Sequence, residues 1–254
     1  DPIDIGVSHV KVSDINHVVP FKENLLLFSE QTQFILSGGD VLSPSTVSVT
    51  PTTEFVGSTK VRPVGVGPNV YFPVTRGSYS GLREFYVTDD AQNNDANDVT
   101  SHCPKLLRGD ITELVASTNE DIIAALTSAE PNRLYVYKFF FGQEGKLQSS
   151  WSPFTFSAAD KILSCGFVET KLYLVIERTG DGVFLEELDM EAGAVDEGSE
   201  IQYRMDRKVY ESDIAPATFD GTYTTWVLPY KVDEPLWVII RVGDASRPEG
   251  YVLD

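Results

Sequence analysis

The stretch "ITELVASTNEDIIAALTSAEPNRLYVYKFFF", Ile111–Phe141, decides how the whole chain is read. Its first part, Ile111–Ala129, is the one region where an apolar pattern of helical period rivals a strand pattern. The polar triplet Asn119-Glu120-Asp121 cuts that part into two apolar blocks, and a third block, Leu134–Phe141, is rich in Tyr, Phe and Val. Short blocks of this composition, bounded by Gly, Pro, Asn and Asp, are the signature of strands. Read this way, the stretch is three strands, and the chain is all-β.

The same order recurs on either side. "INHVVPFKENLLLFSEQTQFIL", "KVRPVGVGPNVYFPVTRGSYSGLREFYV" and "KILSCGFVETKLYLVIERTGDGVFLEELDM" each place two apolar blocks around a polar turn and follow them with a third strand. The turns fall at Gly67-Pro68-Asn69 in the second and Glu169-Thr170-Lys171 in the last. The second block of each unit begins at Leu25, Val70, Ile122 and Leu172, at intervals of 45, 52 and 50 residues. Such intervals with three or four strands per unit are those of propeller blades. A small twisted sheet cannot bury both faces alone, so blades stack and cover one another. The expected fold is a partial β-propeller of about four blade-like repeats followed by the start of an inserted β domain; a β-sandwich with irregular loops gives similar spacing.

Within a blade, inner strands read as continuous apolar runs, as in Leu25–Phe28 and Leu172–Ile176, while outer strands alternate, as in Val183–Leu188. The hairpin Asn132–Phe156 is read in the same terms. Leu134–Phe141 is a sandwiched strand, and Gly142 and Gly145 permit a tight turn. Lys146–Trp151 returns with Leu147, Ser149 and Trp151 on one face, Pro153 breaks the ladder, and Trp151 wedges between blades rather than presenting a sugar platform.

After Met205–Val209 the rhythm fails, for the next comparable block, Leu236–Ile240, starts 64 residues after Leu172. Residues 1–208 are therefore read as propeller blades and 209–254 as the start of a second β-rich domain, opening with a hairpin of Thr224–Leu228 and Leu236–Val242. Thr88–Thr100 reads as a polar, mobile loop and Glu191–Glu200 as an acidic, Gly-rich connector. The chain opens at Asp1-Pro2 without Met and closes on a strand-like Tyr251–Asp254, so a fragment of a longer polypeptide is expected.

Composition bounds the function. The 254 residues and 42% hydrophobic content are those of a globular chain, and no apolar run approaches the roughly 20 residues of a membrane span. A net charge of -18 argues against a sequence-independent grip on nucleic acid, which needs basic side chains to displace counterions from phosphates. The acidity keeps an aromatic-rich surface soluble. Cys103 and Cys165 can pair or stay free, and two thiols do not make a disulfide scaffold.

No catalytic constellation emerges. His9, His17 and His102 have no partners at zinc-ligand spacing. The loop Asp89–Asp98 has the composition of a calcium site but lacks the Gly and distant Glu of an EF-hand, so it reads as a solvated loop. Gly77–Gly81 carries Tyr79 where a nucleophile elbow needs Ser, and Gly142–Lys146 is too short for a phosphate loop. In "TFDGTYTTW", Asp220 is followed at once by Gly221, which breaks the spacing of a sialidase Asp box. Glu84, Glu177 and Asp206 are candidates for a carboxylate pair, but in so acidic a chain they single themselves out by nothing else. No catalytic, metal or cofactor residue is assigned, no cofactor is expected, and the binding surface is unassigned.

The segment "DPIDIGVSHVKVSDINHVVPFKENLLLFSEQTQFILSGGDVLSPSTVSV" resembles the tail tubular protein B family, the tail nozzle proteins of short-tailed phages. Further matches follow in order: "RPVGVGPNVYFPVTRGSYSGLREF", "DVTSHCPKLLRGDI", "NRLYVYKFFFGQEGKLQSSWSPFTF", "MDRKV", then "TTWVLPY" to "PEGYVLD". Cys103 and Pro153 depart from the family pattern. The resemblance implies a structural, non-enzymatic virion protein. It implies a hexameric ring of copies below the tail adaptor protein, a channel through which phage DNA leaves without specific binding, and a platform for tail fibres. An acidic lumen would then repel DNA phosphates. The competing expectation is a propeller glycan hydrolase acting on host surface polysaccharide. A non-catalytic docking module, compatible with the nozzle, would display an exposed apolar patch.

Overall fold

The computed structural model describes residues 6, 14–38, 43–88, 94–142, 145–190, 209, 214–229, 238–240 and 251–253. Two compact units emerge: Asp1–Arg178 with Val183–Met190, and Thr179–Gly182 with Glu191–Asp254.

The first unit is a series of antiparallel meanders. Strands β1 (Ile15–Phe21), β2 (Asn24–Ser29), β3 (Gln33–Ser37) and β4 (Ser48–Thr53) form a sheet in that order. β5 (Val64–Val66), β6 (Asn69–Arg76), β7 (Tyr79–Val87) and β8 (Asn94–Asp98) form the next. A third contains β9 (Ile111–Ser117), β10 (Ile122–Thr127), β11 (Arg133–Gly142) and β12 (Gly145–Thr155). β13 (Lys161–Val168), β14 (Lys171–Arg178) and β15 (Gly182–Asp189) make a three-stranded fourth sheet. Ile111–Ala129 is thus two strands, and the four second blocks of the repeat are β2, β6, β10 and β14. The turns before them are tight, and one residue in each takes a left-handed φ: Lys22 at 53°, Gly67 at 56°, Asp121 at 51° and Glu169 at 56°.

The sheets stack in sequence order, and the period of two along each strand shows how. Val70, Phe72 and Val74 of β6 pack with Val19, Phe21, Leu26 and Phe28 of the first sheet. Tyr71, from the other face of β6, joins Ile123, Ala125, Tyr135, Tyr137 and Phe139 of the third. Ile122, Ala124 and Leu126 of β10 turn the opposite way, onto Ile162, Leu172, Leu174 and Ile176 of the fourth. Alternate side chains of one strand therefore enter two different cores.

A recurring polar clamp ties each sheet to the chain leading to the next. Gly57 N–H donates to the Glu30 carbonyl, Gly109 N–H to Ser78 and Phe156 N–H to Asn132, each at 2.9 Å. A side chain reinforces each: Gln33 donates to the Phe55 carbonyl (2.9 Å), Ser80 to Gly109 (2.8 Å) and Asn132 to Phe156 (3.1 Å). Gln33 and Ser80 are buried, so these bonds also satisfy groups that would otherwise be desolvated without a partner.

Several local expectations are corrected. Asn94–Asp98 is not loop but β8, paired with β7 from Arg83↔Asp98 to Val87↔Asn94. Ala96 alone of its five residues is buried, so pairing with the backbone of β7, not apolar pattern, makes this strand. Residues 89–93 lie outside the described set. Pro153 does not end its ladder: β12 runs on to Thr155 with Pro153 opposite Tyr135. As the outermost strand, β12 has one row of N–H groups that β11 does not use, and a proline there costs no pairing. Continuous burial of the second strands holds in the middle of the stack only. β6 is buried from Asn69 to Val74 and β10 throughout, whereas β2 and β14 alternate between buried and half-buried. Leu134–Tyr137 is sandwiched as expected, but Phe140 is exposed.

In the second unit the expected hairpin of Thr224–Leu228 with Leu236–Val242 is replaced by two others. β16 (Thr218–Phe219) pairs with β17 (Thr224–Thr225), and β18 (Val238–Ile240) with β19 (Tyr251–Leu253). Asp220 is the cause: its Oδ1 accepts from the backbone N–H of Thr222 and of Tyr223, both at 2.8 Å, and Gly221 takes φ 98°. This Asx turn folds Thr224 back on Thr218 within a few residues. The expected boundary near Val209, the connector Glu191–Glu200 and Met205–Lys208 fall in a stretch of which Val209 alone is described up to residue 213.

Candidate functional site

A cleft of about 480 Å³ opens between the second and third sheets and is lined in part by Glu84, Asp98, His102, Tyr137 and Lys146. Its central feature is the ammonium of Lys146. Along the β11–β12 ladder Tyr137 faces Trp151 and Phe139 faces Ser149, but beyond a bulge Phe141 faces Lys146. Leu147 is the extra residue of that bulge, so the alternation shifts by one. Lys146, not Leu147, joins Ser149 and Trp151 on the inward face, which corrects the expected face of this strand; Leu147 is exposed.

Lys146 Nζ lies 2.6 Å from Glu84 Oε2 and 3.2 Å from the Tyr137 hydroxyl. The rings of Tyr71, Tyr137, Phe139 and Phe141 surround it at 5.1 to 5.5 Å, a cation–π cage filled by the chain's own lysine. The other oxygen of Glu84 accepts from the Tyr71 hydroxyl (2.6 Å) and from Asn69 Nδ2 (2.7 Å). Burial first, then the Glu84 charge, pushes the Tyr71 phenol far above its ordinary pKa. Next to the cage the Trp151 ring packs tilted against Tyr137, with ring centroids 4.9 Å apart, and its Nε1–H donates to the Val99 carbonyl at 3.0 Å. Trp151 is the wedge between sheets that its sequence context implied. Every one of these contacts joins strands of one sheet to those of its neighbour or braces a residue that does. Glu84 accepts three hydrogen bonds and is committed to a cation, so it offers no free base.

At the rim, Asp98 pairs with Arg76 and accepts from the Thr100 hydroxyl and backbone N–H. Burial works to raise its pKa, but the Thr100 and Arg76 bonds outweigh it and hold the carboxyl below the usual range.

The other sequence candidates are scattered. Glu177 sits on β14 beside Lys161 at 3.7 Å, in a different sheet from Glu84, and Asp206 lies outside the described residues. His9 is likewise outside them. His17, on β1, has a buried Nε2 with no hydrogen-bond partner, and burial lowers its pKa. His102 is exposed. Cys103 and Cys165 are free thiols, and burial pushes Cys165 up to about 12. Gly77-Ser78 forms the β6–β7 turn, with Gly77 at φ 64°, Tyr79–Gly81 opens β7, and Ser80 is one of the clamps described above. Among the described residues no three His, Cys, Asp or Glu side chains gather as a metal site, and no helix is long and apolar enough to cross a membrane.

Sequence reasoning passed over Lys146 because a count of two along β12 points it away from Trp151, and no residue in the chain announces the bulge. The triple Phe139-Phe140-Phe141 beside an otherwise uncharged strand was the available signal.

The stack of meander sheets defines an all-β protein, and the side chains that line its cleft interlock one sheet with the next. Comparison with known proteins gives the particular family. The model of the bacteriophage nozzle protein family matches residues 1–243. The tail tubular protein gp12 of Escherichia phage T7 is 30% identical over 227 residues, which is 89% of this chain and 28% of that protein. The chain belongs to the bacteriophage nozzle protein family and is a structural component of the virion tail. Among solved structures, Kluyveromyces lactis Hsv2 overlaps 81% of this chain and 61% of its own, with TM-score 0.44 and 11% identity. The N-terminal domain of Chaetomium thermophilum Nup170, in complex with Nup53, overlaps 88% and 40%, with TM-score 0.44 and 11% identity. Neither overlap reaches the level that establishes a common fold.

Proposed function

We propose that this chain supplies part of the wall of a tail nozzle: blades of a β-propeller, residues 1–208, with an inserted β-rich domain starting near residue 209. Copies assemble into a hexameric ring below the tail adaptor, around a channel for the outgoing genome, and carry the tail fibres. The observation that carries this reading is the serial stack of meander sheets, each seam closed by apolar contacts, with ring contacts in the first two seams and an ion pair in the second. A stack of this kind resists shear because each sheet is held on one or both faces by a neighbour. The net charge of -18 supports passage of DNA without adhesion, since phosphates are repelled rather than neutralised. In the second unit, Phe219, Tyr223, Trp226 and Val227 are exposed around one hairpin, which supports a docking surface for fibres.

Because the chain spans 28% of the length of the T7 relative, the decisive experiment uses the full-length protein. Electron microscopy of that protein is expected to show a six-fold ring with an axial hole. Particles without a hole, or a lumen lined by Lys and Arg, would overturn the reading.

A further inference from the structure

The four outermost strands differ in charge. β8 carries Asp95 and Asp98, and β15 carries Glu186, Glu187 and Asp189. By contrast β4 has no charged residue, and β12 has none after Lys146, whose ammonium is turned inward onto Glu84. The uncharged stretches reach beyond the strands, from Val41 to Thr53 and from Leu147 to Ala159. With Pro63–Thr75, whose Asn69–Val74 is buried in β6, they are the longest uncharged stretches of the chain. Sheets one and three thus end on neutral edges, sheets two and four on acidic ones.

An outer strand presents a row of unpaired N–H and C=O groups, and proteins ordinarily protect it with charge, brevity or distortion. Among the described residues β12 is the longest strand and nothing pairs with its outer side. Its middle, Gln148–Ser150, is exposed and polar, and the one interruption in its donors is Pro153. In a chain of net charge -18 two copies repel one another overall, so strand-to-strand approach is least opposed where charge is missing. A basic partner would be drawn instead to the acidic edges.

We infer that the outer edge of β12 is an interface between copies of this chain, taking β4 of a neighbouring copy as an added strand. The contact is heterologous, head to tail, so it propagates around a ring. This inference rests on the proposed assembly of copies and names the edges through which they meet.

The test is analytical ultracentrifugation of the chain over a wide concentration range. Wild type is expected to associate. Ser150→Glu on β12 and Thr50→Glu on β4 are each expected to weaken association at least tenfold, with circular dichroism and melting temperature unchanged. Ser150→Lys combined with Thr50→Glu is expected to restore it. A control, Asp95→Ser on the acidic β8 edge, should not weaken it. Wild type that stays monomeric throughout, or Glu variants that associate like wild type, would overturn the inference. In the second case the assembly reading stands and only the choice of edge falls. Association tightened by Ser150→Lys alone, without the Thr50 change, would place a different acidic surface opposite β12 and overturn the pairing with β4.

Discussion

Strands β10 and β14 occupy the same place in successive repeats and are both apolar throughout most of their length, yet they live in different surroundings. Every residue of β10 is buried, with Ile122, Ala124 and Leu126 in one core and Ile123 and Ala125 in another. In β14 Leu172, Leu174 and Ile176 are buried, whereas Tyr173 and Val175 on the opposite face are half-buried. The difference is one of position in the stack rather than of composition. β10 has a sheet on each side; β14, among the described residues, has one. Two ion pairs repeat the lesson. Lys146–Glu84 and Lys171–Glu187 both close at 2.6 Å. The first is enclosed between sheets under a cage of rings; the second lies on the open surface of the fourth sheet.

Alanine substitutions along the two strands test this most sharply. In β10, Ile122→Ala and Ile123→Ala are each expected to cost about 2–5 kcal/mol, because each leaves a cavity in a packed core. In β14 the cost should alternate: about 2–5 kcal/mol for Leu174→Ala and less than about 1 kcal/mol for Val175→Ala. Urea unfolding at constant m-value measures all four. Equal losses at Leu174 and Val175 would mean that the outer face of β14 is covered, and the comparison would collapse.

The ion pairs give the second contrast. Lys146→Ala strands the Glu84 carboxylate in a buried seam, and removal of one partner of such a pair costs about 3–5 kcal/mol. Lys171→Ala is expected to leave the unfolding midpoint unchanged, since water and salt screen both charges. Lys146→Met, which keeps the stem among the rings but still orphans the carboxylate, should recover little. A mild Lys146→Ala phenotype would show that Glu84 reaches solvent.

Much of this arrangement was legible in the amino-acid order. The four second strands were found from block spacing, because a strand buried on at least one face must carry apolar residues at a period of two or less. β8 was not found, because its pairing depends on the backbone of β7 and its sequence Asn-Asp-Ala-Asn-Asp carries no apolar pattern. The second-unit hairpin was misassigned because side-chain bonds from Asp220 closed a shorter turn than apolar content alone indicates. Lys146 was hidden by a bulge of one residue, which inverts every face assignment beyond it. Glu84 was in view, but its meaning came from a lysine 62 residues away.

Trp151 joins the two inner sheets by packing and by one hydrogen bond, and two substitutions separate these. Trp151→Phe removes the bond to the Val99 carbonyl but keeps most of the ring packing on Tyr137, at an expected cost of about 1 kcal/mol. Trp151→Ala removes both and should cost about 3 kcal/mol. Differential scanning calorimetry is expected to rank wild type, Phe and Ala in that order of melting temperature. Equal melting temperatures for Trp151→Ala and wild type would show that Tyr137 and Lys146 hold the seam without it.

The smallest expected effect is a dependence on pH at the rim of the same cleft. The Asp98 carboxyl is held below its ordinary pKa despite burial, because Thr100 and Arg76 bond to its charged form. A carboxyl whose pKa is lower folded than unfolded binds its proton more weakly in the native state. Its stabilising contribution is therefore complete above its unfolded pKa, near the ordinary aspartate value of 3.8, and is lost as pH falls through the lower folded value. Asp98→Asn should abolish that portion of the acid sensitivity while lowering stability modestly at neutral pH, where the Arg76 pair is lost. Unfolding free energies at a series of pH values from neutral down to about 2, compared between wild type and Asp98→Asn, measure the difference. The two curves are expected to converge on the acid side, because there the native carboxyl is protonated and resembles the amide. Parallel curves would show that Asp98 titrates alike in the folded and unfolded chain, and that the rim of the seam, unlike its centre, is electrostatically open to water.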